Sequence, residues 1–576
     1  MKSKIIAVLF LIGLFSLNVF SQNTDKPQFK NEEAALQGWH LKDKSTDGYY
    51  GISLDKAYNF LKSKKLKSQT IIVAVIDSGI DTTHEDLKNI LWTNSGEIPG
   101  NGIDDDKNGY VDDVHGWNFL GGKNGENVND DSYEGARIYH FLQPKYEGQT
   151  IDESKLSKEE LYEYKLWKKV KEKVEAQATE AQTNLLAVGW LAKGAPMADS
   201  ALRKVINKEV YSGDELDMFE APDQRSARAK LVMMTVFRGF GIQSSTNVRA
   251  LEILDEYYKG EEKKAEALLK EPKEYRAEIV KDNYDDINDR YYGNNNLAIG
   301  ATHGTHVAGI IAAQRNNGKG VDGIADNVRI MAIRAVPNGD EHDKDVALAI
   351  RYAVDNGARI INMSFGKSFS PQKKWVDDAV KYAASKNVLL IHAAGNDASD
   401  NDTDDNFPNP RFISTDTAIN FITVGASSDP SIAQKNNEGK DVNDVTATFS
   451  NYGKGEVDVF APGVKVYSTL PGGNEYGFLN GTSMASPVVA GIAAMTLSYF
   501  PNLSPKQLKY ILTQSVQKPD IKVLKPGTSE HVNFSEISKS GGVVNAFETV
   551  KLASTVKGEL EPLPLPKPKI IKSKKG

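Results

Sequence analysis

Three short segments carry a carboxylate, an imidazole and a hydroxyl at places where a fold could present them. Asp77 closes the apolar run Ile71–Ile76 and is followed by Ser78-Gly79. His303-Gly304-Thr305-His306-Val307-Ala308-Gly309 opens an apolar helical segment that reaches about Gln314. Gly481-Thr482-Ser483-Met484-Ala485-Ser486-Pro487 opens another, reaching about Phe500. A serine hydroxyl is barely nucleophilic at neutral pH unless an imidazole takes its proton. The imidazole in turn needs a carboxylate to fix its tautomer and stabilise its charged form. Ser483 at a helix start would also gain the positive end of the helix dipole and a free backbone N–H. Pro487 is expected in the first turn of that helix, where proline is tolerated. Singly, such an aspartate starts a turn and such a histidine is structural. Together they supply an orienting acid, a base and a nucleophile for acyl transfer.

Two metal readings arise. His303-x-x-His306 offers two imidazoles, but Gly304 stands where a zinc peptidase helix needs glutamate, so this is not a zinc site. The loop 104–113 is richer. Asp104, Asp106 and Asn108 fall at positions 1, 3 and 5 of a calcium loop, Gly109 at 6, the Tyr110 carbonyl at 7 and Asp112 at 9. Position 12 is His115 rather than a bidentate glutamate, so the expectation is a shortened calcium loop, with a solvated acidic turn as the alternative. Calcium there would be structural, and no cofactor is expected for catalysis. Asp400–Asp405 reads as a polar loop.

These residues need a scaffold. Ile71–Ile76, Val328–Val336, Arg359–Ser364, Val388–Ala393 and Phe421–Gly425 are apolar almost throughout, as strands buried on both faces should be. Helix-period segments at 343–356 and 374–386 lie between them, and another helix begins at Ser504-Pro505, a cap followed by proline. The fold class is α/β, a doubly wound, mostly parallel sheet formed by 71–119 and 297–553. Residues 120–296 form an insertion, mainly helical at 153–282, where Lys and Glu abound. Residues 22–70 are a lead-in segment, and 554–576 a Pro/Lys-rich tail. Lys2 and Lys4 before the apolar stretch Ile5–Phe20 predict a signal peptide over 1–21, and thus a periplasmic, cell-surface or secreted protein with no transmembrane segment in the mature chain. The net charge of −7 is too mild to suggest a nucleic-acid partner. The absence of cysteine excludes disulfides, thiol catalysis and cysteine-ligated metals.

The order Asp…His…Ser, each on its own strand end or helix start, resembles the subtilisin-like serine peptidases over 71–119 and 297–553. By that resemblance Asp77 orients, His303 is the general base and Ser483 the nucleophile, while His306 is a structural helix residue. Ala393-Ala394-Gly395-Asn396 is similar to the family's oxyanion segment, with the Asn396 amide facing the developing charge and Gly395 beside it. Ser364-Phe365-Gly366 resembles the edge on which substrate pairs as an added strand. Gly541 to Thr549 resembles the closing helix. The resemblance implies an exported endopeptidase acting on protein or peptide substrates through an acyl-enzyme. Two other readings remain, a catalytically silent peptide-binding protein and a surface scaffold whose helical insertion is the working part. Exported members usually carry a prodomain, for which 22–70 leaves too little room.

Overall fold

The computed structural model describes residues 35–561, apart from 244, 415, 437 and 438. The expected signal peptide, the start of the lead-in segment and most of the Pro/Lys-rich tail lie outside the described residues. The described chain forms two compact units, one of them Ser132–Lys273 and the other built on a sheet.

The sheet has seven strands: β1 Ile71–Asp77, β2 Gly116–Asn118, β3 Val328–Arg334, β4 Ile360–Met363, β5 Leu389–Ala393, β6 Phe421–Ser427 and β7 Val459–Pro462. Their spatial order is β2-β3-β1-β4-β5-β6-β7, and every neighbouring pair is parallel. Side chains alternate across the sheet. Val73 and Val75 of β1 enter one core, with helices α2 (Thr302–Ala312) and α5 (Thr482–Tyr499). Ala74 and Ile76 enter a second core, with α3 (Asp343–Asp355) and α4 (Lys373–Ser385). Burial on both faces is why these strands read as unbroken apolar runs. The α/β class and the doubly wound sheet agree with expectation.

Strand ends differ from expectation by one or two residues, and two edge strands had no clear signal. β2 is only three residues long, and Gly116 makes it possible. At φ +138° its backbone passes so close to the Ala332 carbonyl that a Cβ would overlap it. The lead-in helix α1 (Leu54–Ser63) buries Leu54, Ala57 and Leu61 in the first core. α6 (Pro505–Gln514) starts with a capping box between Ser504 and Gln507. The closing helix is α7 (Ala546–Ala553), capped by Asn545 and so later than 541–549.

The helical unit is narrower than the insertion 120–296. Residues 120–131 and 274–296 fold with the sheet, where Trp117 Nε1 donates to the Tyr292 carbonyl at 2.8 Å and Asn118 pairs with Asn294. The unit's helices span Glu134–Tyr146, Lys158–Ile206, Gly213–Met218, Gln224–Gly239 and Asn247–Glu266. Its core gathers Leu191, Leu202, Met233, Phe237 and Leu254. Exposed pairs such as Lys168–Glu153 account for its charge and contribute little stability. The fully buried Phe237 predicts that Phe237→Ala costs this unit about 3–5 kcal/mol, read by chemical denaturation. A cost below about 1 kcal/mol would mean the core is not the source of its stability.

Candidate active site

β1 delivers Asp77 at its carboxyl end, 2% exposed, and the first turn of α2 delivers His303. His303 Nδ1 lies 2.7 Å from Asp77 Oδ1, which also accepts the Ser78 N–H at 2.8 Å. A carboxylate acceptor places the proton on Nδ1 and leaves Nε2 as the basic nitrogen. Burial acts to lower the imidazole pKa. The charge and hydrogen bond of Asp77 oppose it and prevail, holding the pKa above the ordinary 6.5. Close backbone approach sets the pair. Ile80 N–H donates to Leu297 O at 2.8 Å and Ser78 Oγ to Gly300 O at 2.8 Å. Gly79 at φ +127° and Gly304 stand where a Cβ would overlap the facing backbone. The neighbouring His306 is buried, bonds the Gly477 carbonyl at 3.1 Å, and is driven by burial to about 3, hence neutral.

Ser483 sits in the first turn of α5. Its hydroxyl donates to the Ser364 carbonyl at 3.1 Å, while Ser364 Oγ donates to the Ser483 carbonyl at 3.0 Å. The second bond corrects the reading of Pro487, which lies in the second turn and not the first. Proline has no N–H to give the carbonyl four residues earlier, which is that of Ser483. Ser364 supplies the missing donor. Behind it, Ser486 Oγ donates to Asn362 Oδ1 at 2.8 Å and Asn362 Nδ2 to Ser364 Oγ at 2.9 Å.

Asn396 Oδ1 accepts the Thr482 N–H at 2.8 Å and the Thr482 hydroxyl at 3.0 Å. A backbone N–H can only donate, so the amide orientation is fixed and Nδ2 is left outward as a donor. A Cβ built on Gly481 would stand 3.7 Å from Asn396 Nδ2 and 3.5 Å from the Ser483 nitrogen, so both donors flank one spot. The strand leading to Asn396 is clamped by three asparagines. Asn401 Nδ2 and Asn451 Nδ2 donate to Ala394 O at 2.9 and 3.0 Å, and Asn406 Nδ2 to Ala393 O and Ala394 O at 3.1 and 2.9 Å. Gly395, at φ +109°, leaves room for Asn451. Thus the acidic loop 400–405, read as merely polar, contributes to the site through Asn401.

The expected substrate edge lies beside these groups. Ser364 is buried, Phe365 half-buried and Gly366 exposed. The Phe365 carbonyl accepts from His392 Nε2 at 2.7 Å, and burial pushes His392 down to about 4, keeping it neutral. Asn362, His392 and the clamping asparagines had no place in the sequence reading. Asn362 and His392 did leave a signal, as polar residues within otherwise apolar strand runs.

In the loop 104–113 the structure assembles a different set of oxygens from the expected one. Asp104 accepts the N–H groups of Asn108 and Gly109, and Asp112 those of Gly100, Asn101 and Gly102. Both carboxylates thereby shape the loop. The carboxylates that converge within 4.8 Å are Glu97, Asp106 and Asp113, so of the expected ligands only Asp106 belongs to this cluster. Asn108 donates to Asp106 and Asp113, and the Tyr110 N–H donates to Asn108 Oδ1. Three hard oxygen donors, two of them buried, fit calcium by type. Glu97 was missed because it lies outside the loop's own spacing.

Comparison with known proteins gives one consistent result. A family model described as the Subtilase family matches residues 68–536. The chain is 38% identical over 242 residues to the Thermophilic serine proteinase of Bacillus sp. (strain AK1), covering 42% of this chain and 52% of that protein. It is 39% identical over 218 residues to Subtilisin DY of Bacillus licheniformis, covering 38% and 70%. To Thermitase of Thermoactinomyces vulgaris it is 34% identical over 253 residues, covering 44% and 76%. The chain thus spans about half the length of the first of these.

The Asp77–His303 geometry makes a direct prediction. The His303 imidazole, followed by nuclear magnetic resonance, titrates above pH 6.5, and Asp77→Asn lowers its midpoint because the charge and hydrogen bond that oppose burial are weakened. A midpoint that does not fall in Asp77→Asn would sink the attribution to Asp77.

Proposed function

The chain belongs to the subtilase family, and on that premise we propose that it is an exported serine endopeptidase cutting protein or peptide substrates through an acyl-enzyme. The observation that carries the reading is the Asp77–His303 bond, joined to an Asn396 amide whose oxygen is held by the start of the Ser483 helix, leaving Nδ2 outward as a donor. In this reading the Ser483 hydroxyl turns from the Ser364 carbonyl to His303 Nε2, gives up its proton there and attacks the substrate carbonyl. Asp77 holds the Nδ1 proton and stabilises the imidazolium. Asn396 Nδ2 and the Ser483 N–H take the oxyanion. Ser364, Phe365 and Gly366, with Gly395 opposite, line the bound peptide. Relatives named as proteinases support the hydrolytic reading, and a 34% identical relative named Cell wall-associated protease of Bacillus subtilis (strain 168), with the expected signal peptide, supports export. No helix among the described residues is long and apolar enough to cross a membrane.

Ser483→Ala is expected to abolish peptide hydrolysis and labelling by a serine-directed phosphonate while leaving the fold intact, since only one hydroxyl is lost. Asn396→Leu should lower kcat by roughly 10²–10³, the size known for this oxyanion donor in subtilisin. A wild-type protein that binds peptides yet never reacts with the phosphonate would be the silent binding protein or scaffold instead.

Calcium belongs to the same proposal, in a structural role. Glu97, Asp106 and Asp113 would hold it, neutralising a cluster in which burial, with Asp106 nearby, pushes the Asp113 carboxyl up to about 6. Calcium at 100 times its Kd should add about 2.7 kcal/mol of stability. Asp106→Asn should erase the difference in melting temperature between calcium and chelator. Equal melting temperatures in the wild type would refute the site.

A further inference from the structure

We propose that Arg334 is a positioning residue for the Asp77–His303 pair, a buried cation that holds together the stretches of chain on which the pair depends. The proposal rests on the reading of those two residues as acid and base. Arg334 ends β3 and is the register partner of Asp77 at the end of β1. It is 1% exposed, and no carboxylate is among its hydrogen-bond partners. Neutral oxygens surround it instead. Nε donates to Ser78 O at 2.9 Å and Ile299 O at 3.0 Å, Nη1 to Asn118 Oδ1 at 3.2 Å, and Nη2 to Val128 O at 2.7 Å and Asn129 Oδ1 at 3.4 Å.

The identity of those partners gives the side chain its role. Ser78 follows Asp77. Ile299 lies four residues before His303, in the stretch by which the chain returns from the helical unit. Val128 and Asn129 lie just before the chain enters that unit at Ser132. One guanidinium therefore gathers the acid's own strand end, the outgoing chain and the returning chain. Arginine suits the task because its five donors form a rigid planar fork, whereas a lysine gathers three donors on one nitrogen and cannot reach oxygens so far apart. Burial draws its pKa down to about 10, which leaves it protonated at neutral pH and keeps every donor in place. The close fit extends to Gly79, whose Cβ would stand 3.5 Å from Arg334 Cδ.

The test compares wild type with Arg334→Lys and Arg334→Met, normalising rates to the serine titrated by a phosphonate. Loosening the pair should lower kcat per active site by about 10²-fold, the cost of misplacing catalytic groups by about 1 Å, with KM changed far less. It should also move the His303 titration to lower pH, because less of the support from Asp77 survives. A purely structural role would lower the melting temperature and the titrated fraction but leave kcat per site and the His303 midpoint unchanged, and that result would overturn the proposal. If Arg334→Met does not fold, Arg334→Lys carries the test, with a smaller shift in the same direction. Because the His303 titration needs no substrate, it decides the positioning role even if the wild type proves not to be a peptidase.

Discussion

The structure turns on one hydrogen bond between residues far apart in sequence. Asp77 and His303 meet at 2.7 Å across 226 positions, and a compact unit of helices interrupts the chain between them. Fixing such a contact costs the entropy of every residue held to make it, so the bond cannot hold itself. What holds it is backbone against backbone. The segment 297–304 is pressed onto 77–81 closely enough that Gly79 and Gly304 admit no side chain, and hydrogen bonds run across at Ile80 and Ser78. The insertion is tolerated because its ends are tied down before and after it by the sheet unit.

The same logic organises the polar residues at the carboxyl ends of the strands. Across β3, β1, β4 and β5 stand Arg334, Asp77, Asn362 and His392, all buried, in strands whose other buried side chains are apolar. Each is a costly residue to bury unless bonded, and each is bonded to a group near the site. Arg334 takes the Ser78 carbonyl, Asn362 supports Ser364, and His392 takes the Phe365 carbonyl. Pro487 fits the pattern from the other side. By withholding an N–H it frees the Ser483 carbonyl for Ser364, and so joins the nucleophile's helix to the end of β4.

Much of this was legible in the sequence. Five central strands were readable because burial on both faces leaves an apolar run with no alternative period, and the helices 343–356 and 374–386 by their own period, while a cap marked the helix that begins at Ser504-Pro505. The edge strands β2 and β7 were not, since β2 is three residues that include Gly116 and Asn118, and β7 ends in Pro462. Asp77, His303 and Ser483 could be singled out because each sits at a strand end or helix start, and Asn396 through the family resemblance of its segment. Their supports could not, because Asn401, Asn406 and Asn451 act through contacts that only the folded chain creates. The acidic loop shows the limit most clearly. Spacing along the chain suggested Asp104 and Asp112 as ligands, yet their nearest donors are backbone N–H groups of the loop itself, and the convergent carboxylate Glu97 comes from outside it.

The returning chain has a second anchor, and it differs in kind from the first. Arg276 pairs with Asp345 and, at 3.0 Å, with Asp282; Lys344 reaches Asp282 at 2.6 Å, and the Tyr292 hydroxyl reaches Asp345 at 2.6 Å. All these charges are nearly inaccessible, and Lys344 and Asp345 belong to the first turn of α3. A buried ion network adds little stability over a well-packed apolar equivalent, but removing one member leaves another charge unpaired and costs several kcal/mol, about 3–5 by experience. Such a network therefore penalises every arrangement in which 276–292 lies elsewhere more than it rewards the correct one. That is what a returning chain requires after a long excursion, because an apolar anchor would accept many registers and a charged one accepts few. The neutral cage around Arg334 and the ion network around Arg276 divide the work accordingly, the network selecting where the chain comes back and the cage setting how closely it approaches Asp77.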